Sequence, residues 1–449
     1  MVLCGALFLD GLDVSMVGMA LPSLGADLGL STSTLQWVVS GYVLGFGGLL
    51  LLGGRTADLL GRRRVFLVAI GVFAVASLLG GLVDGGTLLI ATRFVKGVAA
   101  AFTAPAGLSI ITTTFAEGPV RNKALSVYTA TGASGFSMGL VLGGLMTEVG
   151  WRWTFLLPVP VAIAVLIAGI ALIPRQADNT RARGGYDIPG AVLSTAALLL
   201  FVYAIVLAPE VGWLSARTGL SLLVVAALLA AFVAVERRTS HPLLRLGILR
   251  SGTLVRANLV ALTLTGSYVG FQFLATLYAQ NLLGWSPLET ALAFLPGGLI
   301  VAFGGPRTGG LVNRLGAPLV SAIGLASFAV GFALFLRADV TPAYLTIFLP
   351  TMLALGAGFG LAYPALSIQA TNGVADEEQG LASGLVQTAF QIGGAIVLAV
   401  ATAVVAANGG EHATTPDAVL ASYKPAIAVV AAIALGGSLL ALTGARRRR

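Results

Sequence analysis

Four ionisable residues lie deep inside apolar runs of this sequence. Asp10 and Asp13 are three residues apart in FLDGLDVSMVGMALP, and Arg93 and Lys96 are three apart in LIATRFVKGVAAA. Residues at positions i and i+3 share one face of a helix, so each pair projects from one side of its segment. A charge at the centre of a membrane helix costs roughly 2.5–3.5 kcal/mol and is seldom kept without a partner or a role. Carboxylates that face cations in such a place can bind and release protons.

The depth of these residues predicts how the acids and bases pair. If the first segment runs outward and the fourth runs inward, Asp13 lies nearest the level of Arg93, and Asp10 lies nearest that of Lys96. A neighbouring cation and desolvation change the proton affinity of a carboxyl in opposite directions, so a partner that moves lets Asp13 alternately accept and donate a proton. The alternative is a static pair of salt bridges that joins the two helices.

The elements that hold these residues are predicted to be membrane helices. Of the 449 residues, 57% are hydrophobic and 10% are charged, whereas a soluble domain carries roughly 25% charged residues. The apolar runs exceed the roughly 18 residues that span a bilayer as a helix, which predicts an all-α membrane protein. The fourteen predicted spans are 1–22, 34–54, 65–83, 88–112, 124–147, 154–173, 188–208, 217–235, 254–279, 289–308, 317–336, 343–367, 381–406 and 424–444.

The basic residues predict the orientation of these spans. With a cytoplasmic N-terminus, 20 of the 26 basic residues fall in inner loops or the C-terminal tail, among them Arg62–Arg64, Arg121, Arg175, Arg181, Arg183 and Arg446–Arg449. By the positive-inside rule, both termini are expected in the cytoplasm of a multi-pass plasma-membrane protein. The net charge of +8 then reflects topology, and no nucleic-acid partner is expected. The first span is expected to be a retained helix, with the natural start slightly upstream.

Enzyme chemistry has little support in this sequence. Cys4 is the single cysteine, and both histidines, His241 and His412, fall in predicted loops. The sequence shows no metal-ligand cluster, no nucleophile–base pair and no phosphate-binding loop of the G-x-x-x-x-G-K-[ST] type. We therefore expect neither an enzyme nor a resident cofactor or metal, and we rank a membrane enzyme or sensor below a transporter.

Two similar turns indicate an internal repeat. GRTADLLGRRR places Gly54, Asp58 and Gly61 at the same offsets as Gly309, Asn313 and Gly316 in GGLVNRLG. A parallel repeat needs an even number of helices in each unit. This predicts a six-helix bundle over 1–173, two additional linker helices over 174–238 and a second six-helix bundle over 239–449.

With these features, the chain resembles the major facilitator superfamily, and more narrowly its fourteen-helix drug:proton antiporter branch. The motifs that carry the resemblance are LDVSMVGMALP (12–22), LQWVVSGYVL (35–44), GRTADLLGRRR (54–64), LIATRFVKGVAAA (89–101), GASGFSMGLVLGG (132–144), WRWTF (151–155), NLLGWSPLETALAFLPGG (281–298) and GLASGLVQTAFQIGGA (380–395). Asp13 and Arg93 match positions of the family, whereas Asp10 and Lys96 rest on this sequence alone.

The resemblance implies roles for two groups of residues. Gly54, Asp58, Gly61 and Arg62 match a loop that latches the two halves together in one access state, although a solvated loop that sets orientation is the alternative. Gly132, Gly135, Gly139, Gly143 and Gly144 match an antiporter signature, and glycines four residues apart also let a second helix approach closely. Leu140 stands where the family commonly has proline.

The function that the resemblance implies is proton-driven efflux of small amphipathic organic molecules, by alternating access and without a cofactor. The expected partners are the small-molecule substrate, protons and the lipid bilayer, and the protein is expected to be a monomer. A proton-coupled metabolite symporter on the same fold is the alternative. Candidate residues of the substrate cavity are Trp37, Tyr42, Asn258, Gln272, Tyr278, Gln387 and Gln391.

Overall fold

A computed structural model of the chain describes residues 1–30, 32–174, 187–213, 215–239, 242–341, 343–409 and 415–445. In this part of the chain the regular elements are all helical, and fourteen helices are long and apolar enough to cross a membrane. This confirms the predicted all-α membrane protein with fourteen spans. Arg175, Arg181, Arg183, Arg446–Arg449, His241 and His412 lie outside the described residues.

The first half of the chain forms six of these helices. They are α1 (Val2–Leu28), α2 (Thr32–Leu60), α3 (Arg62–Leu82), α4 (Gly86–Thr114), α5 (Pro119–Val149) and α6 (Trp153–Leu172). A turn at Leu157 divides α6 into a short part and a longer part, Pro158–Leu172. Pro119 and Pro158 each stand in the first turn of their segment, where a helix has no need of the missing N–H.

The second half repeats this arrangement after two accessory helices. The accessory pair is α7 (Ile188–Val211) and α8 (Ala216–Glu236). The second half contains α9 (Gly252–Leu277), α10 (Pro287–Gly304), α11 (Ala317–Phe335), α12 (Leu349–Thr371), α13 (Gln379–Ala407) and α14 (Pro416–Ala445). A shorter helix, Thr308–Leu315, follows α10. Glu289 and Ser286 form a capping box that begins α10, which accounts for an acid at the edge of a span.

The turn after α2 is tighter than the sequence predicted. The predicted span ended at residue 54, but α2 continues to Leu60, so Gly54 and Asp58 are helical residues. Gly61 alone separates α2 from α3, with a φ of 94° that favours glycine. Gly316, its counterpart in the predicted repeat, has a φ of 83° between the short helix and α11. The two repeat turns therefore share their backbone conformation.

Close helix pairs build each half and join the halves. Within the first half, α1 packs along α5 and α2 packs along α4. A side chain at Gly97 of α4 would lie 2.1 Å from the carbonyl oxygen of Tyr42, so this pair needs glycine at the crossing. Between the halves, α2 and α4 contact α13, and α5 contacts α10 and α12.

The accessory helices attach through α7. This helix packs on α2 and also contacts α13, while α8 packs mainly on α7. Gly48 of α2 makes room for the contact, since a Cβ there would lie 2.3 Å from Leu199 Cδ2. The accessory pair therefore stands beside the line along which the two halves meet.

The ends of the bundle differ in charge. We call the end that carries Arg55, Arg62, Arg63, Arg64, Arg121 and Arg314 the basic face, and the end that carries Asp27, Asp84 and Arg152 the distal face. In the first half, one apolar cluster that includes Phe66 and Phe73 lies toward the basic face, and another that includes Val38 and Phe155 lies toward the distal face. Asp10, Asp13, Arg93 and Lys96 lie between these two clusters.

Candidate functional site

Asp13 of α1 bridges two cations of α4. Its Oδ2 accepts a hydrogen bond from Arg93 Nη1, and its Oδ1 accepts one from Lys96 Nζ. None of these three side chains is more than 1% exposed. Arg93 and Lys96 are about one helical turn apart, so a carboxylate that faces the gap between them reaches both. The expected contact between Asp13 and Arg93 is present, and Lys96 joins the same carboxylate.

Aromatic rings replace water around the two cations. The Arg93 guanidinium lies 4.7 Å from the centre of the Tyr42 ring, and Arg93 Nε donates to the carbonyl oxygen of Val38 at 3.1 Å. Lys96 Nζ lies 4.8 Å from the Phe73 ring and 5.5 Å from the Phe155 ring. Cations are attracted to the faces of aromatic rings, and the attraction grows when water is excluded. Both cations are therefore held in place inside the first half.

The expected pair between Asp10 and Lys96 is wrong. The only hydrogen bond to Asp10 in the described structure comes from Thr103 Oγ1, 3.5 Å from Asp10 Oδ2, and Asp10 is 6% exposed. The prediction compared the levels of the backbone and neglected the direction of the side chains. Side chains tilt toward the N-terminus of their own helix, and α1 and α4 run in opposite directions. Asp13 therefore projects to Lys96, and Asp10 projects past it to Thr103.

Asp58 of α2 caps a helix of the other half. Its Oδ1 accepts from the backbone N–H of Gly380 and its Oδ2 from that of Leu381, both at 3.2 Å, in the first turn of α13. An acid at a helix N-terminus satisfies free N–H groups and faces the positive end of the helix dipole. Gly54 allows the approach, because a Cβ there would lie 2.4 Å from the carbonyl oxygen of Gly380.

Arg62 completes this contact between the halves. Its Nη2 lies 3.0 Å from Asp58 Oδ1 and also donates to the carbonyl oxygen of Asp376, just before α13. Asp58 and Arg62 are 3% and 4% exposed, so the pair is buried where the halves meet. The structure thus brings Gly54, Asp58 and Arg62 to one junction, with Gly61 as the turn that orients Arg62.

The repeat supplies a second junction on the same face. A Cβ at Gly309 would lie 2.6 Å from the carbonyl oxygen of Asn122, in the first turns of α5. Asn122 Nδ2 donates to Asn313 Oδ1 at 2.5 Å. Gly309 and Asn313 thus meet α5 as Gly54 and Asp58 meet α13. We call the contacts of Asp58 and Arg62 with α13 the first latch, and the contact of Asn313 with Asn122 the second latch.

Sequence reasoning missed the residues of α5 beside the second latch. Arg121, 2% exposed, donates through Nη2 to the carbonyl oxygen of Thr371 at 2.9 Å and to Gln379 Oε1 at 3.3 Å. Glu117 Oε1 accepts from the backbone N–H of Gly373 at 2.6 Å. The internal repeat could have pointed to these residues. If GRTADLL contacts the start of α13, the matching GGLVNRLG should contact the start of the equivalent helix in the first half, which is α5.

The sequence decides the family to which these two joined helix bundles belong. Residues 3–398 match the family model of the Major Facilitator Superfamily. The chain belongs to the major facilitator superfamily.

Its relatives within the superfamily are named for resistance and export. The puromycin resistance protein pur8 of Streptomyces alboniger is 40% identical over 98% of this chain and 88% of its own length. The cephamycin export protein CmcT of Amycolatopsis lactamdurans is 37% identical over 97% of this chain and 90% of its own length. Together with the fourteen apolar helices, these likenesses make the chain a multi-pass transporter of small molecules in the plasma membrane.

A solved transporter structure shares the fold. The human organic anion transporter MFSD10 (TETRAN) superposes with a TM-score of 0.68, at 16% identity, over 96% of this chain and 98% of that protein. This likeness confirms the predicted major facilitator fold.

The glycine stripe of α5 is a packing surface for α1. Added Cβ atoms at Gly135 and Gly139 would lie 2.3 Å and 2.5 Å from the carbonyl oxygens of Phe8 and Leu12. Gly132 and Gly143 meet α1 in the same way, whereas Gly144 points to α10, where a Cβ would make ordinary contact with Leu288 at 3.4 Å. Four of the five predicted glycines therefore fix α1, the helix that carries Asp10 and Asp13, to α5.

The predicted cavity residues make contacts of different kinds. Tyr42 is 1% exposed against Arg93, Trp37 packs 5.8 Å from Tyr203 of α7, and Asn258 Nδ2 donates to the Leu254 carbonyl of its own helix. Tyr278 donates to the carbonyl oxygen of Asp339 at 2.6 Å, in an aromatic group of the second half. Gln272 and Gln391 are partly buried, and Gln387 Oε1 lies 3.5 Å from Tyr363 Oη.

The centre of the second half is aromatic. Tyr363 of α12 lies 4.5 Å from Phe390 and 5.1 Å from Phe359, measured between ring centres, and Phe359 lies 5.0 Å from Tyr268. The Asp10 carboxylate interacts electrostatically with Tyr363 across the junction of the halves. Of the two buried acids of α1, Asp10 is the one that acts electrostatically on this aromatic group.

A polar group on the distal face ties the first half together. Asp27 Oδ2 accepts from Trp151 Nε1 at 2.8 Å and from Arg152 Nη1 at 2.9 Å, while Arg152 Nη2 reaches Asp84 Oδ1 at 2.5 Å. The hydrogen bonds from Trp151 and Arg152 hold the pKa of the Asp27 carboxyl below its usual range. The WRWTF motif therefore joins the end of α1 to the turn between α3 and α4.

Proposed function

We propose that this protein exports small amphipathic organic molecules in exchange for protons, by alternating access. The observation that carries the proposal is the group of two acids and two bases, Asp10, Asp13, Arg93 and Lys96, buried inside the membrane-spanning part of the first half. Charges inside a membrane protein are costly, and they mark proton or ion pathways. The names of the relatives, which refer to puromycin and cephamycin, support export as the direction.

The contacts that close one face of the bundle determine from which side of the membrane the charge group can be reached. Both latches join the halves at the basic face, where Asp58 and Asn313 contact α13 and α5. With the basic face in the cytoplasm, as the distribution of arginines supports, this state is closed to the cytoplasm. Release of the latches lets the halves rock apart at the basic face and opens the central site to the cytoplasm.

The charges of the group explain how protons and substrate exclude one another. Asp10 acts electrostatically on Tyr363 of the second half, so we place it beside the space in which a substrate is held between the halves. A cationic or polarised substrate stabilises an ionised carboxylate, and a proton removes that charge, so each binds best when the other has left. A site that holds either a proton or the substrate, and that changes its side of access with either one bound, exchanges the two across the membrane.

Transport in proteoliposomes tests the proposal. We expect the purified protein to accumulate radiolabelled puromycin when a pH gradient drives protons in the opposite direction, and a protonophore to abolish the accumulation. The double variant D10N/D13N should lose accumulation, whereas D417N, the same change at an exposed acid, should keep it. Accumulation by the double variant at the level of the unaltered protein refutes the assignment to this group. Movement of puromycin and protons in the same direction indicates a symporter instead.

A further inference from the structure

The two acids of the charge group have different surroundings. Both oxygens of Asp13 are occupied by cations, one by Arg93 and one by Lys96. Asp10 is also buried, at 6% exposed, but has no cation within ion-pair distance among the described residues, and its one hydrogen-bond partner there is Thr103 at 3.5 Å. The titratable and charged groups that act on Asp10 are Asp13, Lys96, Tyr42 of α2, Tyr128 of α5 and Tyr363 of α12.

This difference decides which acid can change its protonation state. A proton on Asp13 would leave Arg93 and Lys96 buried together without a counter-charge, which is strongly unfavourable. A proton on Asp10 removes a buried negative charge that no cation contacts within ion-pair distance in the described structure. Protonation of Asp10 therefore costs less free energy than protonation of Asp13. It also leaves the charges of Asp13, Arg93 and Lys96 unchanged.

Thr103 offers a partner to both states of Asp10. Its hydroxyl oxygen lies 3.2 Å from the carbonyl oxygen of Ala100 and 3.5 Å from Asp10 Oδ2. One hydroxyl hydrogen can serve one of these acceptors at a time. When it donates to Ala100, the protonated carboxyl of Asp10 can donate to Thr103; when it turns to Asp10, it stabilises the carboxylate. The hydroxyl follows the proton without any change in the backbone.

We propose that Asp10 carries the exchanged proton, and that Asp13 stays ionised as the fixed counter-charge of Arg93 and Lys96. This inference rests on the proposed proton antiport and names the acid that performs it. In the step itself, the O–H bond of the Asp10 carboxyl breaks and the proton passes to water on the side to which the site is open. Binding of the substrate between the halves favours this release, and departure of the substrate allows a proton from the other side to bind.

Proton release on substrate binding tests the inference directly. Puromycin is added to the detergent-solubilised protein in a weakly buffered solution that contains a pH-indicator dye. We expect the unaltered protein to release protons, and D10N to bind puromycin with less than one tenth of that release. In proteoliposomes without a pH gradient, D10N should still exchange labelled for unlabelled puromycin. At equilibrium a gradient of about one pH unit gives about ten-fold accumulation per proton exchanged, and D10N should lose this accumulation.

The controls separate this inference from the proposed function. D10E, which keeps an acid at the same position, should recover at least part of the proton release. Release by D10N equal to that of the unaltered protein overturns the inference while antiport itself stands. Failure of the unaltered protein to accumulate puromycin under any pH gradient, by contrast, removes the proposed function. If D10N does not fold, D10E still tests the proposal: its release should shift along the pH scale because a glutamate replaces the aspartate, and a pH dependence identical to that of the unaltered protein would show that the proton lies elsewhere.

Discussion

Asn313 holds in the second half the position that Asp58 holds in the first, and each reaches the first turns of a helix in the opposite half. Asp58 accepts from the N–H groups of Gly380 and Leu381 at 3.2 Å, and Asn313 accepts from Asn122 Nδ2 at 2.5 Å. One latch is therefore ionic and the other is neutral. The two halves share a plan but contribute unequally to closing the basic face.

The first latch should supply most of the closing free energy. Asp58→Asn removes the charge at the N-terminus of α13 and breaks the ion pair with Arg62, and loss of a cap costs about 0.5–2 kcal/mol. The closed-to-open ratio should fall by about two- to thirty-fold. Cys4, the single cysteine, is 8% exposed in the apolar cluster shared by both halves, so its alkylation by a maleimide reports opening.

The control for this prediction is Asp417→Asn, the same change at an exposed acid in the first turn of α14. It should leave the alkylation rate of Cys4 unchanged. An alkylation rate in D58N equal to that of the unaltered protein would show that Asp58 does not hold the basic face closed.

The second latch should become stronger when it is made ionic. Asn313→Asp places an acid at the first turns of α5 and keeps an acceptor for Asn122, and such a charge is worth about 0.3–1 kcal/mol near a helix N-terminus. Alkylation of Cys4 should slow by about two- to five-fold, and turnover should fall because the basic face opens less often. Asn408→Asp, the same change at an exposed residue, is the control. Faster alkylation in N313D would contradict the prediction.

Much of the fold could be predicted from hydropathy and arginine placement, since each helix must be long and apolar to cross the membrane. The latches could be anticipated because Gly54 and Asp58 have the same spacing in the sequence as Gly309 and Asn313. The partners of Asp10 and Lys96 could not be predicted, because they depend on side-chain tilt and on the crossing of α1 and α4. The cavity residues stay a prediction, because a polar residue in a span looks the same in the sequence whether it lines a cavity or contacts a neighbouring helix.

The glycines of α5 should differ in how well they tolerate substitution by alanine. Gly135→Ala places a Cβ 2.3 Å from the carbonyl oxygen of Phe8, whereas Gly144→Ala meets Leu288 at an ordinary 3.4 Å. Overpacking of this kind costs about 1–3 kcal/mol, so G135A should lower the melting temperature in detergent and G144A should leave it nearly unchanged. Equal melting temperatures for the two variants would show that α1 moves away from α5 without cost.

Asp27 should make the stability of the distal face depend on pH. Its pKa is lowered by hydrogen bonds from Trp151 and Arg152, so its contribution is present above the ordinary aspartate pKa of about 4 and is lost as the pH falls below it. Asp27→Asn should lower the melting temperature at pH 7 and flatten its decline at acid pH. Glu148→Gln, a change at a neighbouring exposed acid, is the control. An unchanged acid decline in D27N would show that this carboxyl does not contribute.

The two acids of the charge group should differ sharply in their effect on stability. Asp13→Asn leaves Arg93 and Lys96 buried beside each other with no counter-charge, and breaking a buried ion pair in this way costs about 3–5 kcal/mol. Asp10→Asn replaces a carboxyl without a cation by a neutral group of the same shape, so the melting temperature should change little or rise. Thermal unfolding of both variants in the same detergent measures the difference. A larger loss in D10N than in D13N would mean that Asp10 is the fixed charge and Asp13 the exchangeable one.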